Sequence, residues 1–282
     1  MVNENARVIY EGPSQITGKG HIVGIVTGLA RKRDGTAKQK SKNTKMAGGT
    51  GTHVMQLFIL NADEHPSHAV YNSGNDEHIC GSCPHRRGNP TSSPCYVRVE
   101  QAPRAVWQSY ADGNIAYMDP RDVAKNQPTD TGLMRLGSYG DPAAIPFEVY
   151  QKLMFQSVSN GRSPQTRGSV RVVQFKRHTG YTHQWMLKHI DQRFRFLLMA
   201  SVESECQQDL ATSMGWRTFR VVEQGESLRT SGNRPEIACP ASVEQGQRLT
   251  CVECGACNGE RLTSGTPLGD LTRKVNVMIE AH

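Results

Sequence analysis

Leu133-Met134-Arg135-Leu136-Gly137-Ser138-Tyr139-Gly140-Asp141-Pro142, followed by Pro146 to Val158, reads as a short β-run, a polar glycine-rich turn and a helix. Outward from it the same rhythm recurs. His68 to Tyr71 leads into a cysteine-rich turn, and Gln101 to Tyr110 reads as a helix. Val170 to Phe175 and Phe196 to Ala200 are further β-runs, separated by a helix around Trp185 to Ile190. Gln207 to Met214 is helical, Thr218 to Val222 β-like, Ile237-Ala238 a short strand and Val275 to Ile279 the last run. Strands and helices in alternation predict an α/β fold with parallel strands, as a partial (βα) barrel. Ahead of it, residues 7 to 11, 21 to 30 and 53 to 61 are apolar and β-branched, with Gly12-Pro13 and Gly18-Gly20 breaks, and predict a small β-meander. The expected organisation is a β-rich region over 1–66, a βα partial barrel over 67–238 and a cysteine-rich segment with the last strand over 239–282.

In such folds ligands bind at the carboxyl ends of the strands. Cys80 and Cys83 follow the first expected strand, Asp141 the second, His178, Tyr181 and His183 the third, Ser201, Glu203 and Ser204 the fourth, and Cys239 the last. Taken alone, Asp141 reads as a helix N-cap and Ser201 to Ser204 as a capping sequence. Trp107, Trp185 and Trp216 read as core.

Seven of the eight cysteines form two groups. The first is Cys80-Gly-Ser-Cys83-Pro-His-Arg-Arg with Cys95 after eleven further residues. Three thiolates leave one iron of a 4Fe-4S cluster, or one position of a zinc ion, open to another ligand; His85 or His78 would close a zinc site. The second is Cys239-Pro240 with Cys251-Val-Glu-Cys254-Gly-Ala-Cys257, four sulfurs that complete a closed centre for zinc or a 4Fe-4S cluster. Cys206 stands apart and reads as a buried thiol.

The chain has 282 residues, 37% hydrophobic and 21% charged, with a formal net charge of +7. No run of eighteen apolar residues and no secretory leader is present, so no membrane partner is expected and a reducing compartment favours metal ligation over disulfides. The positive charge is concentrated: Arg31, Lys32, Arg33, Lys38, Lys40, Lys42 and Lys45 face Asp34 alone. With Gly48, Gly49 and Gly51 behind them, they predict a flexible basic loop over 31–52 with no packed face, which suits nucleic acid or is simply solvated.

The order of motifs resembles a widespread family of phage proteins of uncharacterised function. It rests on Ser73-Gly74-Asn75, Cys95-Tyr96, Arg135 to Asp141, Tyr181-Thr182, Ser201 to Ser204, and Cys239-Pro240 with Cys251 to Cys257, covering residues 70 to 282. That layout in turn looks like a radical S-adenosylmethionine enzyme, although such enzymes usually carry CxxxCxxC where this chain separates Cys83 from Cys95 by eleven residues.

The resemblance implies one catalytic 4Fe-4S cluster on Cys80, Cys83 and Cys95, an auxiliary one on Cys239, Cys251, Cys254 and Cys257, and S-adenosyl-L-methionine as cofactor. Gly137, Gly140 and Asp141 would lie by its amino group and Ser201 and Glu203 by its ribose, with Asp141, His183 and Glu203 as catalytic candidates. The implied reaction modifies or rearranges, in the manner of an isomerase, a substituent on a base of phage DNA, thymine-derived for preference. An external electron donor and the cytoplasm of an infected bacterial host follow from it. The alternatives are a zinc-containing base transglycosylase with Asp141 as nucleophile, and a non-catalytic zinc-knuckle protein that binds nucleic acid.

Overall fold

The computed structural model describes residues 2–38, 44–47, 51–86, 95–158, 170–173, 175, 177–229, 234–259 and 275–280. Among them are eleven strands: β1 (Ala6–Pro13), β2 (His21–Thr27), β3 (His53–Asn61), β4 (Thr131–Tyr139), β5 (Phe155–Val158), β6 (Val170–Val173), β7 (His178–Thr182), β8 (Met199–Val202), β9 (Thr218–Val222), β10 (Glu236–Ala238) and β11 (Asn276–Glu280). Nine form one open sheet in the order β1-β2-β3-β4-β7-β8-β9-β11-β10. The β1-β2 and β2-β3 pairs are antiparallel. From β3 to β10 every pair is parallel, and β3, β4, β7, β8 and β9 lie side by side in chain order. An α/β architecture is therefore observed. No described helix is long and apolar enough to cross a membrane.

Two strands differ from the sequence reading. The chain before the cysteines, expected as β at His68 to Tyr71, is helical: Pro66–His68 makes one turn, with Pro66 preset for a first helical position and His65 Nδ1 accepting from the Ser67 amide at 3.2 Å. The strand that feeds the cysteines is instead β3, which belongs to the meander and the parallel array at once. Likewise Val170–Val173 leaves the main sheet to pair antiparallel with β5, and its place is taken by the more polar β7. Gly180 suits β7 because a Cβ there would stand 2.6 Å from Leu198 Cδ2 and 3.0 Å from Leu136 Cβ.

The principal core runs from Ala6 on β1 to Trp216 and includes the buried Tyr150, Trp185 and Phe194. Helices Ala102–Ala111, Phe147–Met154 and Glu205–Ser213 connect the strands. Two smaller apolar clusters surround the second cysteine group. One joins Met46, Val54, Leu133 and Val252; the other joins Met199, Cys239, Ala241, Ala256 and Val277.

Two arginines inside the β9 region hold the C-terminal strands. Arg220 is buried against Glu236 of β10, with Nε to Oε1 at 3.0 Å and Nη2 to Oε2 at 2.8 Å. Arg217 donates to the carbonyls of Ala256 at 2.8 Å, Asn258 at 2.8 Å and Val275 at 2.7 Å, tying the last cysteine loop to β11. Removing one partner of a buried ion pair leaves an uncompensated charge. Glu236→Gln is therefore expected to lower the unfolding free energy by about 3–5 kcal/mol, measured by urea denaturation; a loss within error of zero would show that the pair does not brace this edge.

Candidate functional site

The carboxyl ends of β3, β4, β7 and β8 meet at one edge of the sheet. Beyond β3, the helix Glu77–Cys80 ends at Gly81, whose φ of 55° and close approach exclude a side chain: a Cβ would stand 2.5 Å from Gln184 Oε1. The buried Gln184 carboxamide closes over this turn, donating to Cys80 O at 3.0 Å and accepting from Ser82 Oγ at 3.2 Å. On the other side Arg86 pairs with the buried Asp76 and donates to the carbonyls of Gly81 and Gly74, both at 3.1 Å. The Cys80–Cys83 turn is thus held by Arg86 of its own motif and by Asp76 and Gln184, which no motif announces.

Cys80 lies within electrostatic range of Cys83 and Cys95 there, but among the described residues the three thiols do not form a group of ligand atoms within 4.8 Å of one another. Burial pushes the Cys80 thiol well up, and the neighbouring Cys83, Asp76, Cys95 and Asp141 push in the same direction. Burial and the same thiols also raise Tyr139, whose hydroxyl is buried without a hydrogen-bond partner among the described residues. His85 Nδ1 is orphaned in the same way. Neighbouring thiols that would repel one another as thiolates, next to orphaned polar atoms, have the donor chemistry that a cationic centre would need. His78 does not take part: its Nδ1 lies 2.9 Å from Thr17 Oγ1.

Asp141 is buried at the end of β4 and saturated by the protein. Its Oδ1 accepts from the Ala143 amide at 2.9 Å, and its Oδ2 from Thr182 Oγ1 at 3.0 Å and the His183 amide at 2.9 Å. Burial raises its pKa against these bonds. Asp141 acts as a cap and as a tie between the ends of β4 and β7. Gly137 and Gly140, with φ of 75° and 80°, make the turn; a Cβ on Gly140 would meet Ile59 O at 2.8 Å. Ser201 is buried on β8, and its carbonyl accepts from Trp185 Nε1 at 3.0 Å.

His183, His85 and Glu203 form a cluster whose ligand atoms lie within 4.8 Å of one another. Glu203 Oε1 is 2.8 Å from His183 Nε2 and 3.4 Å from His85 Nε2. Burial alone would raise Glu203, but the two imidazoles bring it down to about 2. Burial would lower His183, but Cys83 and Glu203 lift it to about 10. The first cysteine group and this cluster are therefore one site.

The second group lies against the face of the sheet. Cys239, Cys251, Cys254 and Cys257 line one cavity of about 30 Å3 together with Tyr181, Phe219 and Lys45. The Thr250–Glu253 capping box and Gly255, at φ 61°, shape the loop, and Arg177 Nη1 donates to Val252 O at 2.7 Å. Burial and Cys239 push Cys251 up to about 11, while Lys45 and Arg135 oppose the rise. Burial raises Cys257 further, and Tyr181 hydrogen-bonds to it. Four thiols around one cavity fit a closed tetrathiolate centre.

Between the two groups, register sets Gln56, Arg135 and Thr179 side by side on one face. Arg135 Nη2 reaches Tyr96 Oη at 2.5 Å, and its guanidinium lies 5.9 Å from the Tyr96 ring, beside Cys95. In sequence Arg135 was visible as part of a strand and as the start of the Arg135 to Asp141 motif, with no site role given to it. The basic loop is not free along its described length: Ala37 is buried and bonded to Asp130 Oδ1 at 2.9 Å, and Met46 packs on Val252. Apolar residues among the lysines give this segment a packed face. Arg31, Lys32, Arg33 and Lys38 lie near the amino end of β3, Lys45 lies at the second cysteine cavity, and Lys40 and Lys42 fall outside the described residues. Cys206 is exposed on the Glu205–Ser213 helix instead of buried, since only part of that helix faces the core.

Compared with protein-family models, curated proteins and solved structures, the chain matches none. The geometry alone makes Gly140 a sensitive point: Gly140→Ala puts an L-residue in the left-handed region, at about 1–2 kcal/mol, and against Ile59 O. A lowered Tm of at least a few degrees is expected in a thermal melt, and an unchanged Tm would show that the turn relaxes freely.

Proposed function

We propose that this chain is a radical S-adenosylmethionine-type iron–sulfur enzyme that modifies or rearranges a substituent on a nucleic-acid base. What supports the reading is that Cys80, within electrostatic range of Cys83 and Cys95, ends the helix that follows the first parallel strand of the array, beside the orphaned Tyr139 hydroxyl. The five strands in chain order are read as an open partial barrel whose carboxyl edge is the reaction site. Cys80, Cys83 and Cys95 would hold a cluster with one open iron, and Cys239, Cys251, Cys254 and Cys257 an auxiliary one. When bound, the first cluster with S-adenosylmethionine supplies hydrogen-atom abstraction from the substrate.

The protein's part is geometric and electrostatic. Gly137, Gly140 and Asp141 fix the edge beside the cysteines, with Asp141 in a positioning role because its oxygens are occupied by protein donors. Glu203 stays ionised at neutral pH and faces the site as an acceptor for hydroxyl or ammonium groups. His183, protonated between Cys83 and Glu203, supplies a proton or a positive charge. Arg135 presents a cation on the sheet face between the two groups. Electrons come from an external donor, which suits the cytoplasm of a host cell.

A second reading is favoured by the His85, His183 and Glu203 cluster. Two imidazoles and a carboxylate within ligand distance, one imidazole with an orphaned nitrogen, suit a mononuclear zinc or iron ion. In that reading the second cysteine group is a zinc site, and the chain acts on or binds nucleic acid without radical chemistry.

Anaerobic incubation with S-adenosylmethionine and dithionite separates the two. The first reading predicts release of 5′-deoxyadenosine, abolished in Cys80→Ala and retained in part in Cys254→Ala. No release from iron-reconstituted protein, together with one chelatable metal ion lost in His183→Ala, would replace it with the second.

A further inference from the structure

At the end of the sheet opposite the cysteine-lined edge lies a half-open cavity of about 530 Å3. It is lined by Arg7 at the start of β1 and by Arg31, Lys32 and Arg33 after β2, with Leu29, Met118 and Asn126 completing the wall. That volume is in the range of ligand-binding clefts. The one lining carboxylate, Glu4, is engaged by Lys38 Nζ at 3.0 Å. Arg7 Nη1 donates to the carbonyls of Asn3 at 2.7 Å and Ala6 at 2.6 Å, and Arg31 Nη2 to Asn126 Oδ1 at 3.3 Å. These acceptors are neutral, so they orient the guanidinium groups without cancelling their charge.

The cations are also presented from fixed backbone. Arg31 bridges antiparallel to Ala37, the Lys32 amide donates to Thr36 O at 2.7 Å, and Thr129 donates to Gly35 O at 3.0 Å. Asp34, the acid of this turn, has its Oδ1 turned to the Thr36 amide at 2.9 Å and hydroxyl at 2.6 Å. A surface run held only by solvent would show none of this. Cations held in place bind an anion without first being ordered, which is where affinity is usually lost.

We propose that this cavity binds the phosphates of a nucleic-acid strand, as an anchor separate from the cysteine-lined site. A strand suits it better than a lone phosphate because four cations, Arg7 on β1 and Arg31, Lys32 and Arg33 after β2, line the one cavity from two separate segments. Strand β3 joins the two ends of the sheet, and its nine residues span about 30 Å. The anchor is thus remote from the reacting position and supplies affinity and register, not base choice. The proposal rests on the functional reading only in taking the strand to be the substrate.

The test is fluorescence anisotropy of a labelled oligothymidylate strand with the full chain over a salt series, which needs neither cluster nor cofactor. Arg31→Gln/Lys32→Gln/Arg33→Gln should weaken binding at least about tenfold and reduce the slope of log Kd against log salt by about 2, at about 0.7 per lost contact. Arg7→Gln should weaken it separately. The charge-conserving Arg31→Lys/Arg33→Lys variant should keep the slope, which guards against a loss that comes from misfolding. Arg104→Gln/Arg248→Gln, exposed cations elsewhere, should change nothing. Wild-type affinity and slope in the triple variant, no strand binding by the wild type, or displacement by inorganic phosphate as effective as by unlabelled strand would each overturn the proposal. Release of 5′-deoxyadenosine is read out separately, so either result can fail without the other.

Discussion

The Asp141 carboxylate and backbone join three segments of the chain at one point. The Asp141 amide donates to Ile79 O at 2.6 Å, so the end of β4 grips the helix that carries Cys80. Its carboxylate accepts from Ala143, which starts the turn toward the next helix, and from Thr182 and His183 at the end of β7. Hydrogen bonds to a charged acceptor contribute about 1.5–3 kcal/mol each, and here they oppose the burial that still raises this group. Without them the cysteine helix, the β4 turn and His183 would have no common reference. Gly140 is required by the same arrangement, since the backbone must pass within contact of Ile59 O.

Around that point the distribution of charge divides the molecule into three zones. At the carboxyl edge, the acids Asp76 and Glu203 are engaged by Arg86 and His183, beside a Cys80 thiol that burial keeps protonated. On the sheet face, Lys45 and Arg135 act on Cys251, and burial disfavours the Cys251 and Cys257 thiolates. At the amino end, Arg7, Arg31, Lys32, Arg33 and Lys38 outnumber the acids Glu4 and Asp34. The first two zones suit bound cationic centres with thiolate ligands, and the third suits an anion. Arg217 and Arg220, both buried, link the second zone to β10 and β11.

Much of this was legible from residue order, and the failures have physical causes. The cysteine groups announced themselves by spacing, and Asp141 by its place between a β-run and a helix. β7 was missed because His178-Thr-Gly-Tyr-Thr has little apolar content; its polar atoms are satisfied inside the fold, as where His178 Nε2 meets Leu197 O at 3.0 Å. The role of β3 was missed because a strand's sequence does not encode which neighbours it pairs with. Gln184 reaches the cysteines from the turn after β7, about a hundred residues along the chain, so no local motif contains it. The basic loop was read as unpacked because its cations dominate its composition, whereas Ala37 and Met46 fasten it.

The most direct measurement is iron, sulfide and zinc content with an absorption spectrum, on anaerobically purified protein and on its Cys80→Ala/Cys83→Ala/Cys95→Ala variant. The account predicts about eight irons per chain falling to about four in the variant, as expected for one 4Fe-4S cluster on each cysteine group. Zinc without iron in both proteins would contradict it.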